Sequence, residues 1–467
     1  MESAQASRLQ RSQRQTSKKI PAFKEERLDH KLHKLYLGLA IFLGTLLALF
    51  MPFFSEPDGV FHFVNASNIA GITVDISAYG EDAQWFGDQF DTQRPSFQQR
   101  FRFEKYFKNE VQRMPIEDLP RQNSIPPRTS FRYWSSVIPA VGVWLGYHIF
   151  PSLGMMITVA RLLNMFVLST GIFFIIKYVK RGKLFFILTT LNPITLNIFA
   201  SLSNDGLSVV LVSWMVSLAI NAITEERFNF KKLTTMLLLS IVIRLAAKTN
   251  FLVVLGLIPL LGFVFLSKGR LEKFWQILPK LVKIVIIIAM TVVVLLVGHN
   301  LTERYGGLST IFYRLFINTF YNFSNNAFSN FSSALTTPLW GITPMPNWLS
   351  AVWLVALVLA AFSEEKIVHH AFLSWGSLAI YFANMFGLYL VFFEGYASGR
   401  NAAVGQIGGL QGRYITPLFL LLFIFASDVR FKLKVSSRNI VALFSVVLII
   451  ISNLLLLFNT LFQIYLF

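Results

Sequence analysis

The sequence predicts an all-α, polytopic membrane protein with about 11 transmembrane helices and a large first outer loop. Of its 467 residues, 54% are hydrophobic and only 14% are charged. Soluble proteins carry about 25% charged residues. The apolar residues fall into runs of about 17–25 residues bounded by charge, which is the length that an α-helix needs to cross a bilayer.

The predicted spans follow a basic segment at residues 1–34. The first span is Leu35–Phe54, and the polar stretch Ser55–Tyr133 after it is too hydrophilic to lie in lipid. The later apolar runs, in order, are Trp134–Pro151, Met155–Tyr178, Leu184–Ser201, Gly206–Ile223, Leu233–Ala247, Phe251–Leu266, Leu281–Val297, Trp348–Phe362, Ala371–Phe392, Tyr414–Ala426 and Ile440–Phe467.

The distribution of charge sets the predicted orientation. The formal net charge is +18, from 42 Lys and Arg against 24 Asp and Glu. If every apolar run spanned, the basic cluster at residues 177–183 would face outward, against the positive-inside rule. We therefore predict that Trp134–Pro151 is an outer interfacial or re-entrant helix. With the amino terminus inside, 26 of the 42 basic residues are then cytoplasmic, so the basic excess indicates orientation rather than nucleic-acid binding.

This topology divides the chain into a cytoplasmic segment, residues 1–34, and a membrane-embedded domain, residues 35–467. Two large outer loops are predicted, at residues 55–154 and 298–347. In the first loop, Ser96–Met114 has an amphipathic pattern that predicts a helix on the membrane surface.

Several classes of site are excluded or disfavoured by composition. The chain has no Cys, which excludes disulfides, thiolate catalysis and cysteine metal sites. The chain has only 7 His and no HExxH motif, so no zinc enzyme is expected. Walker and dinucleotide-binding fingerprints do not occur in the sequence.

The first candidate site is the pair Asp58 and His62, directly after the first span. On a short helix that begins at Pro57, these two residues share one face. A carboxylate and an imidazole at the outer interface can bind and deprotonate an incoming hydroxyl. The alternative is that Asp58 caps the helix and His62 packs locally.

Basic side chains near membrane depth form the second group of candidates, because an unpaired charge there is costly. Arg161 begins a span on the outer side, and Lys248 lies between two apolar helices. Arg413 follows a glycine-rich stretch, with Arg400 nearby, and its guanidinium can bind phosphate in bidentate fashion. Snorkelling to lipid headgroups is the alternative for Lys248. Asp205 lies at an outer helix end, where an N-cap is the alternative to ligand binding.

One acid in the first outer loop and several outer cations are the groups that glycosyl transfer from a lipid-phosphate sugar requires. A polyprenyl-phosphate donor places its tail in the bilayer and its phosphate at the interface, where cations stabilise it as a leaving group. A carboxylate on the opposite side of the anomeric carbon activates the acceptor hydroxyl. The reaction written in this way requires no metal.

Several motifs resemble a bacterial membrane-protein family of unknown function, DUF family 2142, over residues 35–430. The most specific is Gln411-Gly412-Arg413-Tyr414 followed by Pro417. The others are Pro57-Asp58 with His62-Phe63, Arg161-Leu162-Leu163-Asn164, Asn192-Pro193, Asn204-Asp205-Gly206 and Lys248. The family is similar to the GT-C glycosyltransferases, which use polyprenyl-phosphate sugars and place a catalytic acid in the first outer loop.

The resemblance implies a GT-C-like fold and a glycosyltransferase of the bacterial plasma membrane, with an extracytoplasmic site. It implies a polyprenyl-phosphate-linked sugar as donor and a cell-surface glycan or teichoic-acid-type polymer as acceptor. The implied roles are catalysis by Asp58 with His62, donor-phosphate binding by Arg413, Lys248, Arg161 and Arg400, and sugar binding by Asp205, Gln411 and Tyr414.

One position departs from the family pattern. The family's Glu after Asp is Gly59 here, which removes one of two neighbouring carboxylates and leaves Glu56 as a substitute. Three other functions remain open on the sequence: a transporter or flippase of lipid-linked glycans, a glycan polymerase or ligase, and a non-catalytic scaffold.

Overall fold

The structure is a computed structural model, and the part of the chain that it describes is helical. The described residues are 31–56, 58–72, 74, 113–118, 134–266, 270–320, 335–338, 343, 345–393, 405, 407, 411–429 and 438–462. Among them there is no β-strand beyond one isolated bridge between Pro115 and Ser152. The predicted all-α class is confirmed.

The first helix leads into a tight turn. α1 (Leu32–Phe50) buries one face, and the backbone then turns sharply before α2 (Gly59–Ile69), whose 11 residues are too few to span a bilayer. In the turn, Phe54 and Asp58 have φ values of 62° and 58°. Asp tolerates this left-handed conformation, but a bulky Phe does not, so packing around Phe54 holds the turn in place.

A tightly packed helical hairpin follows. α3 (Val137–Ile149) has 13 residues and packs along α4 (Leu153–Tyr178). The two backbones approach so closely that a Cβ atom on Gly142 would lie 2.3 Å from the Cα atom of Ala160. α3 is too short to span a bilayer, in agreement with the prediction that residues 134–151 do not cross; its interfacial position stays a prediction.

The predicted span Leu184–Ser201 is wrong as a single helix. The chain forms α5 (Lys183–Leu191) and α6 (Pro193–Phe199), both too short to span. The break lies at Asn192, because the residue before a proline is disfavoured in the helical conformation. Residues 185–206 are all buried. Their apolar character therefore reflects a protein core rather than contact with lipid.

The next elements form an antiparallel pair and a mixed helix. α7 (Asp205–Thr224) is 20 residues long, about 30 Å, and is followed by α8 (Phe230–Ala246). α9 (Thr249–Leu266) begins with 3-10 turns and ends with a π-helical turn, Gly262–Leu266.

The remaining described helices complete the fold. They are α10 (Arg270–Ile277), α11 (Lys280–Thr302), α12 (Gly307–Phe320), α13 (Asn347–Ser363), α14 (Ala371–Phe392), α15 (Phe419–Ala426) and α16 (Arg438–Phe462). Two 3-10 turns, Gly412–Tyr414 and Thr416–Leu418, lead into α15. α12 lies inside the predicted outer loop 298–347, so that region is partly helical. The predicted surface helix Ser96–Met114 lies, except for its last two residues, outside the described residues.

Seven helical segments in the described residues are long and apolar enough to cross a membrane. They are Leu32–Phe50, Leu153–Tyr178, Asp205–Thr224, Thr249–Leu266, Lys280–Asn300, Ala371–Phe392 and Asn439–Phe462. Trp348–Ser363 and Gly412–Ala426 are shorter apolar segments. A multi-pass membrane protein is thus confirmed, while the predicted count of 11 spans is not.

Ion pairs connect helix ends at the end of α7 that is remote from Asp205. Glu225, directly after α7, binds both Lys180, after α4, at 2.6 Å, and Lys232, at the start of α8. Lys366 and Asp428 are joined at 2.9 Å between the segments before α14 and after α15. α7 therefore separates this layer of ion pairs from Asp205 by about 30 Å.

Candidate functional site

Four charged side chains that are far apart in the sequence are connected by ion pairs. We call this group the Arg413 cluster; its members are Asp58, Asp205, Lys248 and Arg413. Arg413 Nη2 lies 2.5 Å from Asp58 Oδ2, and Arg413 Nη1 lies 3.1 Å from Asp205 Oδ2. Lys248 Nζ lies 2.6 Å from the other oxygen of Asp205. The fold therefore brings together four of the predicted site residues.

Exposure differs sharply within the Arg413 cluster. The side chains of Arg413 and Asp205 are 0% and 3% exposed, whereas those of Lys248 and Asp58 are 28% and 55% exposed. The cluster thus has a buried half, where the charges are shielded from water, and an open half at Asp58. Ion pairs between the buried groups are screened least.

Each cluster residue lies at a helix end. Asp58 precedes α2, and Asp205 is the first residue of α7. Lys248 has an extended backbone between α8 and α9, and its N–H donates to Ser208 Oγ at 3.1 Å. Arg413 lies in the 3-10 turn that leads into α15. Because these ends come together, side chains that are far apart in sequence meet at one place.

Helix capping, the alternative role considered for Asp58 and Asp205, is not observed for either acid. Neither Asp58 nor Asn204, which stand at the N-cap positions of α2 and α7, makes a capping hydrogen bond with its side chain. Asp205 is inside the first turn of α7, where a carboxylate interacts favourably with the helix dipole. Both acids direct their oxygens to cations instead.

Arg161 lies outside the Arg413 cluster and binds the turn between α1 and α2. Its Nη1 donates to the Met51 carbonyl oxygen at 2.6 Å, and its Nη2 donates to that of Pro52 at 2.9 Å and to Glu56 Oε2 at 2.8 Å. The Arg161 and Glu56 side chains are 1% and 2% exposed. The predicted role of Arg161 in binding phosphate is therefore not supported, because backbone carbonyls and Glu56 engage its guanidinium.

His62 is one helical turn beyond Asp58, and its backbone N–H donates to the Asp58 carbonyl oxygen at 3.0 Å. The imidazole is buried, and neither ring nitrogen has a hydrogen-bond partner among the described residues. Burial lowers the pKa of His62 to about 4, with smaller opposing effects from Asp205 and Arg413. The ring is therefore neutral at pH 7.

Tyr414 covers both cations of the cluster. Arg413 Nη2 donates to the Tyr414 hydroxyl at 3.0 Å, and Lys248 Nζ lies 4.5 Å from the centre of its ring. The Phe392 ring stacks on the Tyr414 ring, with the two ring centres 5.8 Å apart. Cation–π contact of this kind stabilises a positive charge on an aromatic face. Tyr414 therefore orients the cations.

Two amides that the sequence analysis missed hold the Tyr414 backbone. Asn250 and Asn384 each donate to the Tyr414 carbonyl oxygen at 3.3 Å. Asn384 lies inside the apolar helix α14, so a lone amide among apolar residues was the available signal. Gln411 is half-buried, and its Oε1 has no hydrogen-bond partner among the described residues. Arg400 lies outside the described residues.

The comparison with protein families decides where the chain belongs. Residues 41–422, more than three quarters of the chain, match the family described as "Predicted membrane protein (DUF2142)". The chain belongs to this family. Comparisons with curated proteins and with solved structures find no match. The predicted resemblance to this family is thus confirmed, while its similarity to GT-C glycosyltransferases stays a prediction. The whole Arg413 cluster lies within the matched range.

Gly59 of this DUF2142 protein occupies a position with no room for a side chain. A Cβ atom there would lie 2.7 Å from the Cα atom of Phe54 and 3.1 Å from Cδ of Glu56. The side chain of Glu56 already fills the space beside Gly59. A second acid directly after Asp58 is therefore incompatible with this turn as it is folded.

Two further features of the DUF2142 protein lie apart from the cluster. A cavity of about 370 Å³ lies beyond the far end of α2 and is lined by Glu117, Trp144, Tyr147 and His148 among others, but by none of the cluster residues. Within the described residues, no three His, Asp or Glu side chains are grouped so that they can hold a metal ion.

Proposed function

We propose that this DUF2142 protein is an integral membrane glycosyltransferase. It transfers a sugar from a polyprenyl-phosphate donor to a cell-surface glycan or cell-wall polymer. The observation that carries the proposal is the contact of Asp58 with Arg413, in which a half-exposed carboxylate lies beside a buried guanidinium. Glycosyl transfer from a phosphate needs a base and a cation in one site, and this pair supplies both.

In the proposed reaction, Asp58 accepts the proton of the acceptor hydroxyl. The acceptor oxygen then bonds to the anomeric carbon, and the bond from that carbon to the phosphate oxygen breaks on the opposite face. The bonding electron pair leaves with the phosphate, whose charge Arg413 and Lys248 stabilise. Attack opposite the leaving group inverts the anomeric configuration.

The assignment of the base to Asp58 rather than Glu56 rests on exposure. The Glu56 side chain is 2% exposed and is bound to Arg161, whereas the Asp58 side chain is 55% exposed. A base must reach the proton that it removes, and only the carboxylate of Asp58 is accessible to an acceptor. His62 lies next to Asp58 and is neutral at pH 7. Its ring therefore carries no positive charge that would draw the donor phosphate away from Arg413 and Lys248.

The sugar is proposed to lie between Asp58 and the Gln411–Tyr414 turn, which carries Arg413. The Gln411 Oε1 atom offers an acceptor for a sugar hydroxyl, and the Tyr414 ring forms an adjacent wall. Asp205 was predicted to bind a sugar hydroxyl, but two cations engage its carboxylate. We therefore propose that Asp205 orients Arg413 and Lys248 instead.

The proposed location is a bacterial plasma membrane, with the amino terminus cytoplasmic and the cluster on the extracytoplasmic side. Two observations support this orientation. The far end of α7 lies beside Lys180 and Lys232, among the basic residues that the positive-inside rule assigns to the cytoplasm. The cluster end lies about 30 Å away, one bilayer thickness.

The test compares cell-surface glycans and lipid-linked sugars in a deletion strain restored with different variants. We expect deletion and Asp58→Asn to remove one sugar substituent and to accumulate its polyprenyl-phosphate precursor. Glu365→Gln is the matched control and should restore the glycan, because Glu365 is 69% exposed and pairs with Arg181, next to Lys180 in the ion-pair layer. Full restoration by Asp58→Asn at normal expression would rule out the assigned base.

A transfer assay on membranes from the same deletion strain separates glycosyl transfer from the second candidate function, transport of a lipid-linked glycan. A flippase moves the precursor between leaflets without forming a glycosidic bond. Membranes from the deletion strain should therefore lack transfer to added acceptor even when the lipid-linked sugar is supplied to both leaflets. Transfer at the wild-type rate in those membranes would favour transport.

A further inference from the structure

We propose that the donor phosphate and Asp58 compete for the same edge of the Arg413 guanidinium, so that donor binding itself releases Asp58 to act as the base. The inference rests on the proposed function and adds a coupling between its two halves. It makes the observed ion pair the donor-free state of the site.

The contact between Asp58 and Arg413 leaves no place for a sugar phosphate. An inverting transfer places the base and the leaving phosphate on opposite faces of the anomeric carbon, with the sugar between them. In the structure Asp58 Oδ2 is 2.5 Å from Arg413 Nη2, a distance that leaves no room for any atom in between. The two side chains must therefore separate before a sugar phosphate occupies the site.

Of the two side chains, Asp58 is the one that moves. Arg413 is buried, and Asp205 and the Tyr414 hydroxyl hold it in place. Asp205 is buried as well, and it is bound by Lys248 in addition to Arg413. Asp58 is more than half exposed and lies at a loop end. Displacement of Asp58 costs least, since its carboxylate recovers water on leaving.

The charge balance of the cluster allows a phosphate to replace Asp58. Asp58, Asp205, Lys248 and Arg413 together carry no formal net charge, and the neighbouring His62 is neutral at pH 7. Without Asp58, the three remaining groups carry a net charge of one positive unit. A sugar phosphodiester carries one negative charge, so it replaces Asp58 with no change in the total. Charge-assisted hydrogen bonds to Arg413 are retained in the exchange.

The released carboxylate is then free at the moment when a donor is present. Without donor, the Asp58 carboxylate is bound to Arg413 and is not available to an acceptor hydroxyl. With donor, the proton of the acceptor hydroxyl passes to Asp58 while the new bond to the anomeric carbon forms. This order suppresses deprotonation of an acceptor or of water at an empty site.

The test measures binding of a polyprenyl monophosphate to the purified full-length protein in lipid nanodiscs, without acceptor. If Asp58 competes with the phosphate, Asp58→Asn should lower the dissociation constant about fivefold, the effect of an ion pair with one exposed partner. Asp58→Glu, which keeps the competing charge, should bind like wild type. Glu117→Gln removes an exposed acid away from the cluster and should leave the affinity unchanged.

Two further probes identify the source of the phosphate chemistry. Inorganic phosphate tests the headgroup alone, and phosphatidylglycerol nanodiscs test an ordinary anionic lipid. The affinity gain in Asp58→Asn should be largest for the polyprenyl phosphate. A gain of equal size for phosphatidylglycerol would assign the position to bulk lipid headgroups and would overturn the proposal.

The outcomes separate this inference from the proposed function. If wild type binds the polyprenyl phosphate and Asp58→Asn binds it equally or more weakly, the competition is disproved while the phosphate site stands. An equal gain in Glu117→Gln also disproves it, because the effect is then a general loss of negative charge. If neither wild type nor Asp58→Asn binds the probe, the donor class itself is wrong.

Discussion

Arg161 and Glu56 form a buried ion pair, with Arg161 Nη2 and Glu56 Oε2 2.8 Å apart, that fastens the turn carrying Asp58 onto α4. Arg161 also binds the carbonyl oxygens of Met51 and Pro52, at the end of α1. The two residues thus fix the start of the turn and leave its last residue, Asp58, accessible. The turn is therefore held at its buried start, while the carboxylate proposed as the base stays open to an acceptor.

The first prediction concerns that ion pair. Arg161→Met should destabilise the protein by about 3 kcal/mol, because it leaves a buried carboxylate and two carbonyl oxygens without their donor. Thermal unfolding in detergent measures the effect as a lower midpoint. The double variant Arg161→Met with Glu56→Met should recover part of the loss, since no unpaired charge then remains. Equal loss in the single and double variants would contradict the importance of the charge pairing.

The second prediction concerns Gly59. Gly59→Ala should destabilise the turn by about 1–3 kcal/mol, because its Cβ would lie 2.7 Å from the Cα atom of Phe54. Gly38→Ala is the matched control, since a Cβ atom there meets nothing within 4 Å and α1 gains helix propensity. Unfolding midpoints should fall for the first variant and stay equal or rise for the second. A wild-type midpoint for Gly59→Ala would mean that the turn relaxes easily.

Features that depend on a few neighbouring residues could be predicted from the sequence. The apolar runs gave the helical membrane class, and charged residues at run ends gave Asp58, Asp205, Lys248 and Arg413. Their pairing was not readable, because Asp58 and Arg413 are 355 positions apart and only the fold brings them together.

The predicted number of 11 spans is not confirmed, and one predicted span, Leu184–Ser201, is two short helices. Hydropathy does not distinguish a segment buried in protein from one that faces lipid, and residues 185–206 are buried throughout. The Asn192-Pro193 dipeptide did carry a readable signal, since proline disfavours a helical residue before it. The contacts of Arg161 were not readable either, because its partners include backbone carbonyl oxygens, which leave no trace in a sequence.

The third prediction concerns pH. The pKa of His62 falls from 6.5 to about 4 on folding, because burial disfavours the charged ring. Between these values the unfolded chain binds more protons than the folded one, so stability should fall as pH falls from 6.5 to 4, by up to about 3 kcal/mol. His62→Gln removes the titrating ring. Its unfolding midpoint should decline less over this range, and parallel curves for the two proteins would contradict the burial of a neutral imidazole.

The last prediction compares the two cations of the Arg413 cluster. Arg413 uses both terminal nitrogens, one toward Asp58 and one toward Asp205, and a lysine offers a single ammonium that cannot reach both in this geometry. Lys248 makes one ion pair, with Asp205, and rests against the Tyr414 ring, contacts that an arginine can also make. Arg413→Lys should therefore weaken binding of a polyprenyl phosphate at least tenfold, about 1.4 kcal/mol, and Lys248→Arg by much less. Binding to nanodisc-embedded protein measures both, with circular dichroism to verify that each variant is folded. Equal losses in the two variants would show that the site responds only to positive charge and not to the two-pronged geometry of Arg413.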